Sequence, residues 1–339
     1  MVANGKHPRS WMEVRPAGLY CRPGDFYIDP VRPVERAIIT HGHADHARSG
    51  HKYVLSTLET SEIMKVRYGA NCAKLIEQLP YGKAQVVGDA EVKLMPAGHI
   101  LGSAQVVIEY RGYRVVISGD YKRRVDQTCE PFVPVSCDVF ITEATFGLPV
   151  FRHPPDADEI GRLLKSVELF PDRCHVVGAY ALGKCQRIIN LLREAGWDRP
   201  IPLHGALKNL CGLYERLGVS LGQLEDATVN DVSSFMGAIV LAPPSALANK
   251  WIRRLPEPVT AMASGWMLIR QRARQRNVEL PMVISDHADW NELLQTLDDV
   301  AAPEVWVTHG REEALVRAAE LRGIKAKALN LIGFEDDSA

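Results

Sequence analysis

What this 339-residue sequence lacks narrows it first. No stretch approaches the ~20 apolar residues that a membrane-spanning helix needs. The opening Met-Val-Ala-Asn-Gly-Lys has no apolar segment of the kind a secretory leader carries. The expected setting is therefore the cytoplasm, with no membrane partner. Cysteine is scattered: seven residues, an odd number, with no C-x-x-C pair. That argues against a disulfide framework and against a zinc site built from thiolates. Excess charge is missing too, since 40 Lys and Arg face 41 Asp and Glu for a net charge of −1. Binding of a polyanion by the whole surface is excluded, and any nucleic-acid site has to be a local patch. Repeats and low-complexity tracts are absent as well. What is present is the apolar fraction of an ordinary globular protein, 46%, enough for one large domain or two ordinary ones.

Val- and Ile-rich runs alternate with helical patterns. Strands are expected at 36–40, 91–96, 104–110, 113–118, 138–142, 175–179, 238–242, 259–263, 281–285 and 304–308, many of them bounded by Gly, Pro or Asp. The segment VVIEYRGYRVVIS reads as a hairpin turning at Arg111-Gly112. Helices are expected in 157–170, 183–196, 207–218, 290–301 and 312–323, the last closed by Gly323. This is α/β organisation with more than one sheet.

The informative feature is how the strands end. AIITHGHADH, VKLMPAGH, VVISGD, VFITE, MVISDH and VWVTH each finish an apolar run on His, Asp or Glu. Strand ends on one edge of an α/β layer converge, and the loops there carry function. In His41-Gly42-His43 a small residue separates two imidazoles, so both can face one ion, and Asp45 and His46 follow at a spacing that suits a second. A carboxylate such as Asp120 can bridge two ions, and ions about 3.5–4 Å apart suit phosphoester displacement.

These residues resemble the metallo-β-lactamase superfamily: His41-x-His43-x-Asp45-His46, then His99 in PAGHILGSA, then Asp120 in SGD. The continuation, with Glu143 in ITEATFG, the segment AYALGKCQRIINLL, SGW at 264–266, His287 in SDHADW and His309 in VTHG, resembles its β-CASP branch of nucleic-acid nucleases. The opening GLYCRPGDFYIDPVRPVERAIITHGHADHARSGH is most similar to the bacterial ligase-associated DNA exonucleases. The resemblance implies an αββα sandwich interrupted by an inserted α/β domain. It divides the chain into residues 1–147, an insert at 148–280, and residues 281–339.

It also implies roles. His41, His43 and His99 hold one divalent ion, Asp45, His46 and His309 a second, and Asp120 bridges them; zinc and manganese both suit such a set. Asp45 thereby belongs to the catalytic residues, with His287 as general acid and Glu143 orienting it. Glu143 is followed by Ala-Thr-Phe where the branch commonly has Ser-Thr-Tyr. Ser264, Gly265 and Lys184 are expected to receive a terminal phosphate of the substrate. The implied activity is hydrolysis of single-stranded DNA from a 5′ end, in DNA repair, with a DNA ligase and a helicase as functional partners. The alternative is an RNA-processing nuclease of the RNase J type, which His309 favours.

Other polar residues read as structural. Asp289 and Glu292 have capping-box spacing, and His7, His51, His153, His175 and His204 lack the strand-end setting. Lys122-Arg123-Arg124 follow Asp120 closely enough for one to meet a phosphate. The arginines at 270, 272, 274 and 276 spread around a helix and form no stripe.

Overall fold

A computed structural model describes residues 7–227, 232–329 and 331. The chain forms two compact units, Met1–Phe151 with His287–Ala339, and Arg152–Asp286. The boundaries fall later than the 147/148 and 280/281 divisions read from the sequence. None of the described helices is long and apolar enough to cross a membrane.

The first unit is a stack of helix, sheet, sheet and helix. One sheet has six strands in chain order, from Met12–Arg15 through Gly18–Cys21, Phe26–Ile28, Arg36–Ile38 and His51–Ser56 to Ala73–Gln78. The other has seven, in the order Lys325–Ala328, Glu304–Gly310, Val139–Ala144, Tyr113–Ile117, Ala104–Tyr110, Ala90–Pro96, Ala84–Val87. Side chains alternate across a strand, and here both faces are buried. Val106, Ile108, Val115, Ile117, Ile141 and Trp306 pack between the sheets with Leu19, Phe26, Ile38 and Leu55 of the other layer. Their sequence neighbours Val107, Val116, Phe140, Val305 and Val307 point the other way, onto Leu293, Leu297 and Leu315 of helices Trp290–Val300 and Glu312–Glu320. On the outer face of the first sheet, Ala37, Ile39 and Val54 pack on Met64 of helix Leu58–Tyr68. Burial on two faces explains why these strands read as unbroken apolar runs. The expected hairpin is present: Tyr110 pairs with Tyr113, and Arg111 and Gly112 turn the chain with φ of 51° and 79°.

The second unit has a six-stranded parallel sheet in the order Leu224–Asp226, Ile201–Leu203, Ile239–Ala242, His175–Gly178, Val259–Ala263, Leu280–Met282. Its helices include Asp156–Leu169, Lys184–Glu194 and Gly205–Arg216. The run PMVISDH, expected to resume the first unit, instead begins here: Ala261 pairs with Leu280 and Ala263 with Met282. The strand stops at Met282, so Ser285 and His287 lie in the loop beyond it.

Candidate active site

In the first unit, Ala90–Pro96 and Tyr113–Ile117 each pair antiparallel with Ala104–Tyr110, so they run the same way. Val139–Ala144 is parallel to Tyr113–Ile117, and Glu304–Gly310 is parallel to Val139–Ala144. Four strands therefore end on one edge, and those ends carry His99, Asp120, Glu143 and His309. The facing sheet delivers the loop after Arg36–Ile38, with His41, His43, Asp45 and His46. That loop packs against helix Leu58–Tyr68 through bare backbone, since a Cβ on Gly42 would lie 2.5 Å from Ile63 Cγ2. It turns tightly, with the amides of His46 and Ala47 both donating to His43 O.

The structure brings one ligand atom each of His41, His43, His99 and Asp120 within 4.8 Å of one another. His99 Nε2 is 3.0 Å from His43 Nδ1, and Asp120 Oδ2 is 3.5 Å from His41 Nε2 and 3.8 Å from His99 Nε2. The same Oδ2 lies 3.3 Å from His46 Nε2, which is 3.5 Å from Asp45 Oδ2. The rings of His46 and His309 are 5.4 Å apart. Asp120 thus faces two groups of candidate ligands at once. His309 has a left-handed backbone, φ 59°, next to Gly310, where a Cβ would lie 2.3 Å from Ala144 O. A strained backbone of this kind concentrates at functional sites.

The electrostatics fit a cation. His41 Nε2 is buried and makes no hydrogen bond. Burial, then the charge of His46, hold the His41 imidazolium well below its ordinary range. Burial and the same neighbour push His309 down to about 4. Burial alone would raise Asp120, but His46 and the imidazoles beyond it hold it well below the usual carboxylate range. His46 moves the other way: burial opposes its charge, yet Asp120 and Asp45 lift it well above a free histidine. The neutral imidazoles of His41 and His309 beside the ionised Asp120 are donors that suit a divalent metal, and binding one would displace the proton of His46.

His287, the first residue of the first unit's second segment, lies beside this cluster. Its Nδ1 is 2.9 Å from Glu143 Oε2, and its ring is 4.7 Å from that of His99. Glu143 is fully buried and accepts from Tyr121 N at 2.7 Å and Thr145 Oγ1 at 2.5 Å. Thr145 is the middle residue of Ala-Thr-Phe, so the change of its neighbours leaves this hydrogen bond in place. Asp120, Glu143 and His287 also come within 4.8 Å as a group. Because both Glu143 oxygens already accept hydrogen bonds, orienting His287 is the better reading of that carboxylate.

One residue of the site was missed. Asp29, 4% exposed at the end of Phe26–Ile28, places Oδ2 2.8 Å from His46 Nδ1. It accepts from Thr40 N at 2.8 Å and from Thr40 Oγ1 at 2.6 Å, and Thr40 Oγ1 lies 3.0 Å from His41 Nδ1. A carboxylate behind a ligating histidine fixes its tautomer and raises its basicity. The signal was in the sequence, because FYID is another short apolar run ending in an acid.

The basic residues that follow Asp120 are engaged elsewhere. Lys122 Nζ is buried on Asp126 at 2.5 Å and His99 O at 3.3 Å, Arg123 pairs with Asp299, and Arg124 with Glu292 and Asp289. In the second unit Lys184 is buried, its ammonium 2.8 Å from Ile284 O and 3.0 Å from Asp286 Oδ1, at odds with the expected role at a terminal phosphate. Ser264 Oγ accepts from Trp266 N at 3.3 Å, and Gly265 opens the short helical turn that follows. Arg272 covers the Trp266 ring at 4.0 Å. Asp289 and Glu292 form the expected capping box, and His7 and His204 cap helical turns.

Residues 29–175 match the family model described as Metallo-beta-lactamase superfamily. Over 317 residues, 92% of this chain and 30% of the relative, the sequence is 30% identical to a "Probable DNA ligase" of Opitutus terrae. Over 125 residues, 35% of this chain and 14% of the relative, it is 33% identical to "Endoribonuclease ysh1" of Aspergillus fumigatus. The chain therefore spans less than a third of either relative. A solved protein of unknown function from Enterococcus faecalis V583 shares the fold, with a TM-score of 0.60 over 88% of this chain and 80% of that one at 12% identity.

Proposed function

Because this chain carries a metallo-β-lactamase superfamily domain and is consistent with the β-CASP branch, we propose that it is a dinuclear metal-dependent phosphodiesterase that degrades single-stranded DNA from a 5′ end, in DNA repair. The observation that carries this reading is Asp120 Oδ2, 3.5 Å from His41 Nε2 on one side and 3.3 Å from His46 Nε2 on the other. His41, His43 and His99 would hold one ion, Asp45, His46 and His309 the second, and Asp120 both, with zinc or manganese as the metal. Bound there, the ions would supply Lewis-acid charge and lower the pKa of water to about 7.

The chain's own residues supply the rest. Glu143 keeps a proton on His287 Nδ1, which leaves Nε2 to carry the proton delivered to the departing oxygen. Asp29 holds His46 in the tautomer whose Nε2 faces Asp120. Ser264 and Gly265 offer a hydroxyl and a backbone amide to a 5′-phosphate. The similarity to a protein named a probable DNA ligase supports DNA as substrate and a DNA ligase as functional partner; a helicase partner, implied by the resemblance alone, and a cytoplasmic setting belong to the same proposal.

A second reading, an RNA-processing nuclease of the RNase J type, is favoured by His309 beside His46 and by the similarity to a protein named an endoribonuclease. Matched single-stranded DNA and RNA, labelled at the 3′ end and carrying either a 5′-phosphate or a 5′-hydroxyl, separate the two. The DNA reading expects a descending DNA ladder with added zinc or manganese, fastest from the 5′-phosphate and abolished by chelation. Cleavage of RNA alone would overturn it.

A further inference from the structure

His99 sits in a turn of the first unit, after strand Ala90–Pro96 has ended and before Ala104–Tyr110 begins. Inside the turn, Ser103 Oγ accepts from His99 N at 3.0 Å and from Ile100 N at 3.2 Å. The carbonyl of His99 is held from outside, by Lys122 Nζ at 3.3 Å. Lys122 N also donates to Ala97 O at 3.2 Å, and Cys129 Sγ donates to Gly98 O at 3.5 Å. The two backbones meet so closely that a Cβ on Gly98, φ 73°, would lie 2.4 Å from Lys122 O. The segment that delivers Asp120 therefore also grips the turn that delivers His99.

Lysine is an unusual choice for that task. Lys122 is 0% exposed, and an ammonium so deeply buried has to be paired. Asp126 pairs it. The Asp126 Oδ1 atom accepts from Thr128 N at 2.9 Å and Thr128 Oγ1 at 2.6 Å, which leaves Oδ2 for Lys122 Nζ at 2.5 Å. A buried ion pair of this kind is a poor device for stability, since well-packed apolar side chains commonly do as well. What it supplies is a charged donor fixed in direction: Asp126 sets the ammonium, and the ammonium sets the His99 carbonyl. The imidazole follows its backbone, and His99 Nε2 stands 3.0 Å from His43 Nδ1 and 3.8 Å from Asp120 Oδ2.

We propose that Lys122 and Asp126 are positioning residues for His99, holding its backbone so that its imidazole keeps its place beside His41, His43 and Asp120. The proposal rests on the reading of His99 as a metal ligand. Its signature is a loss confined to one of two ions, because Asp45 and His46 come from the loop after Arg36–Ile38 and His309 from strand Glu304–Gly310.

The test compares the full-length wild type with Asp126→Asn, which keeps an acceptor and removes only the charge, and with Lys122→Met combined with Asp126→Asn. The double variant removes cation and anion together, so no charge is left buried alone. Zinc affinity is measured by competition against a chelating dye, and the visible absorption of the cobalt-substituted protein is recorded. Both are done far below the melting temperature of the metal-free protein, which is measured separately. One of the two ions should bind about 10–100-fold more weakly, the usual cost of losing support behind a ligating histidine. The other should bind as in the wild type, and the cobalt spectrum should change. Wild-type affinity for both ions in a variant that merely melts lower would make the pair structural and overturn the proposal. Equal weakening of both ions would overturn it as well. If the double variant does not fold, Asp126→Asn decides by the same readings. A wild type that binds no divalent metal would instead fell the metal reading, and this proposal with it.

Discussion

Asp29 Oδ2 lies 2.8 Å from His46 Nδ1, and this contact joins the first sheet's strand Phe26–Ile28 to the loop that follows Arg36–Ile38. Both oxygens of Asp29 also accept from Thr40, so one carboxylate fixes the entry to the loop and the orientation of a candidate ligand within it. Asp29→Asn keeps an acceptor for Thr40 and removes the charge behind His46. Metal affinity or activity should fall about 10–100-fold, the usual cost of losing a partner behind a ligating histidine. Competition against a chelating dye measures it, and wild-type affinity would refute the role.

Asp120→Ala should lose one of two ions and all turnover, because the carboxylate faces both ligand groups. Elemental analysis of the purified variant decides this. Two ions retained with normal turnover would end the dinuclear reading.

His287→Ala should keep its metal and lose about 10²–10⁴-fold on DNA, the span of a general acid. Glu143→Gln should fall in the same direction, since Gln still pairs with Nδ1 but stabilises no imidazolium. Activated esters should recover much of either loss. A variant of His287 that lost an ion would instead make it a ligand.

His51 gives a pH prediction away from the cluster. Its buried Nδ1 accepts from Val34 N at 3.3 Å, and burial pulls its pKa down to about 4. As pH falls below the usual value of about 6.5, the unfolded chain takes up the proton first. His51 therefore adds stability above that pH, and the contribution drains away as pH falls toward 4. His51→Asn keeps an acceptor for Val34 and removes the titration. Its melting temperature should fall less than the wild type's between about pH 7 and pH 5; equal falls would sink the assignment.

The site was more legible than the fold because its residues are crowded at loop starts. HGHADH places four of them in one turn, and the strand-end pattern picks out His99, Asp120, Glu143 and His309, all of which the structure brings together. Asp29 escaped because its partner, His46, comes from a different strand end. The strands Met12–Arg15, Gly18–Cys21 and Phe26–Ile28 escaped because they are too short for a period-two pattern to stand out. Helix Leu58–Tyr68 escaped because its buried face includes Thr60 and Ser61 beside Ile63 and Met64, so apolar spacing does not mark it. At Leu280–Met282 periodicity predicted a strand but could not say which sheet it joins, since pairing is settled by register with a distant partner.

The division of the first unit into Met1–Phe151 and His287–Ala339 sets a timetable during synthesis. The ribosome makes His41, His43, Asp45, His46, His99 and Asp120 early, then the whole of Arg152–Asp286, and only afterwards His287, strand Glu304–Gly310 with His309, and helices Trp290–Val300 and Glu312–Glu320. Among the described residues, the contiguous second unit has all its strands while the first still lacks two of them and the helices that cover its outer sheet face. A nascent chain stalled before His287 has most of the candidate metal ligands but neither the histidine paired with Glu143 nor His309.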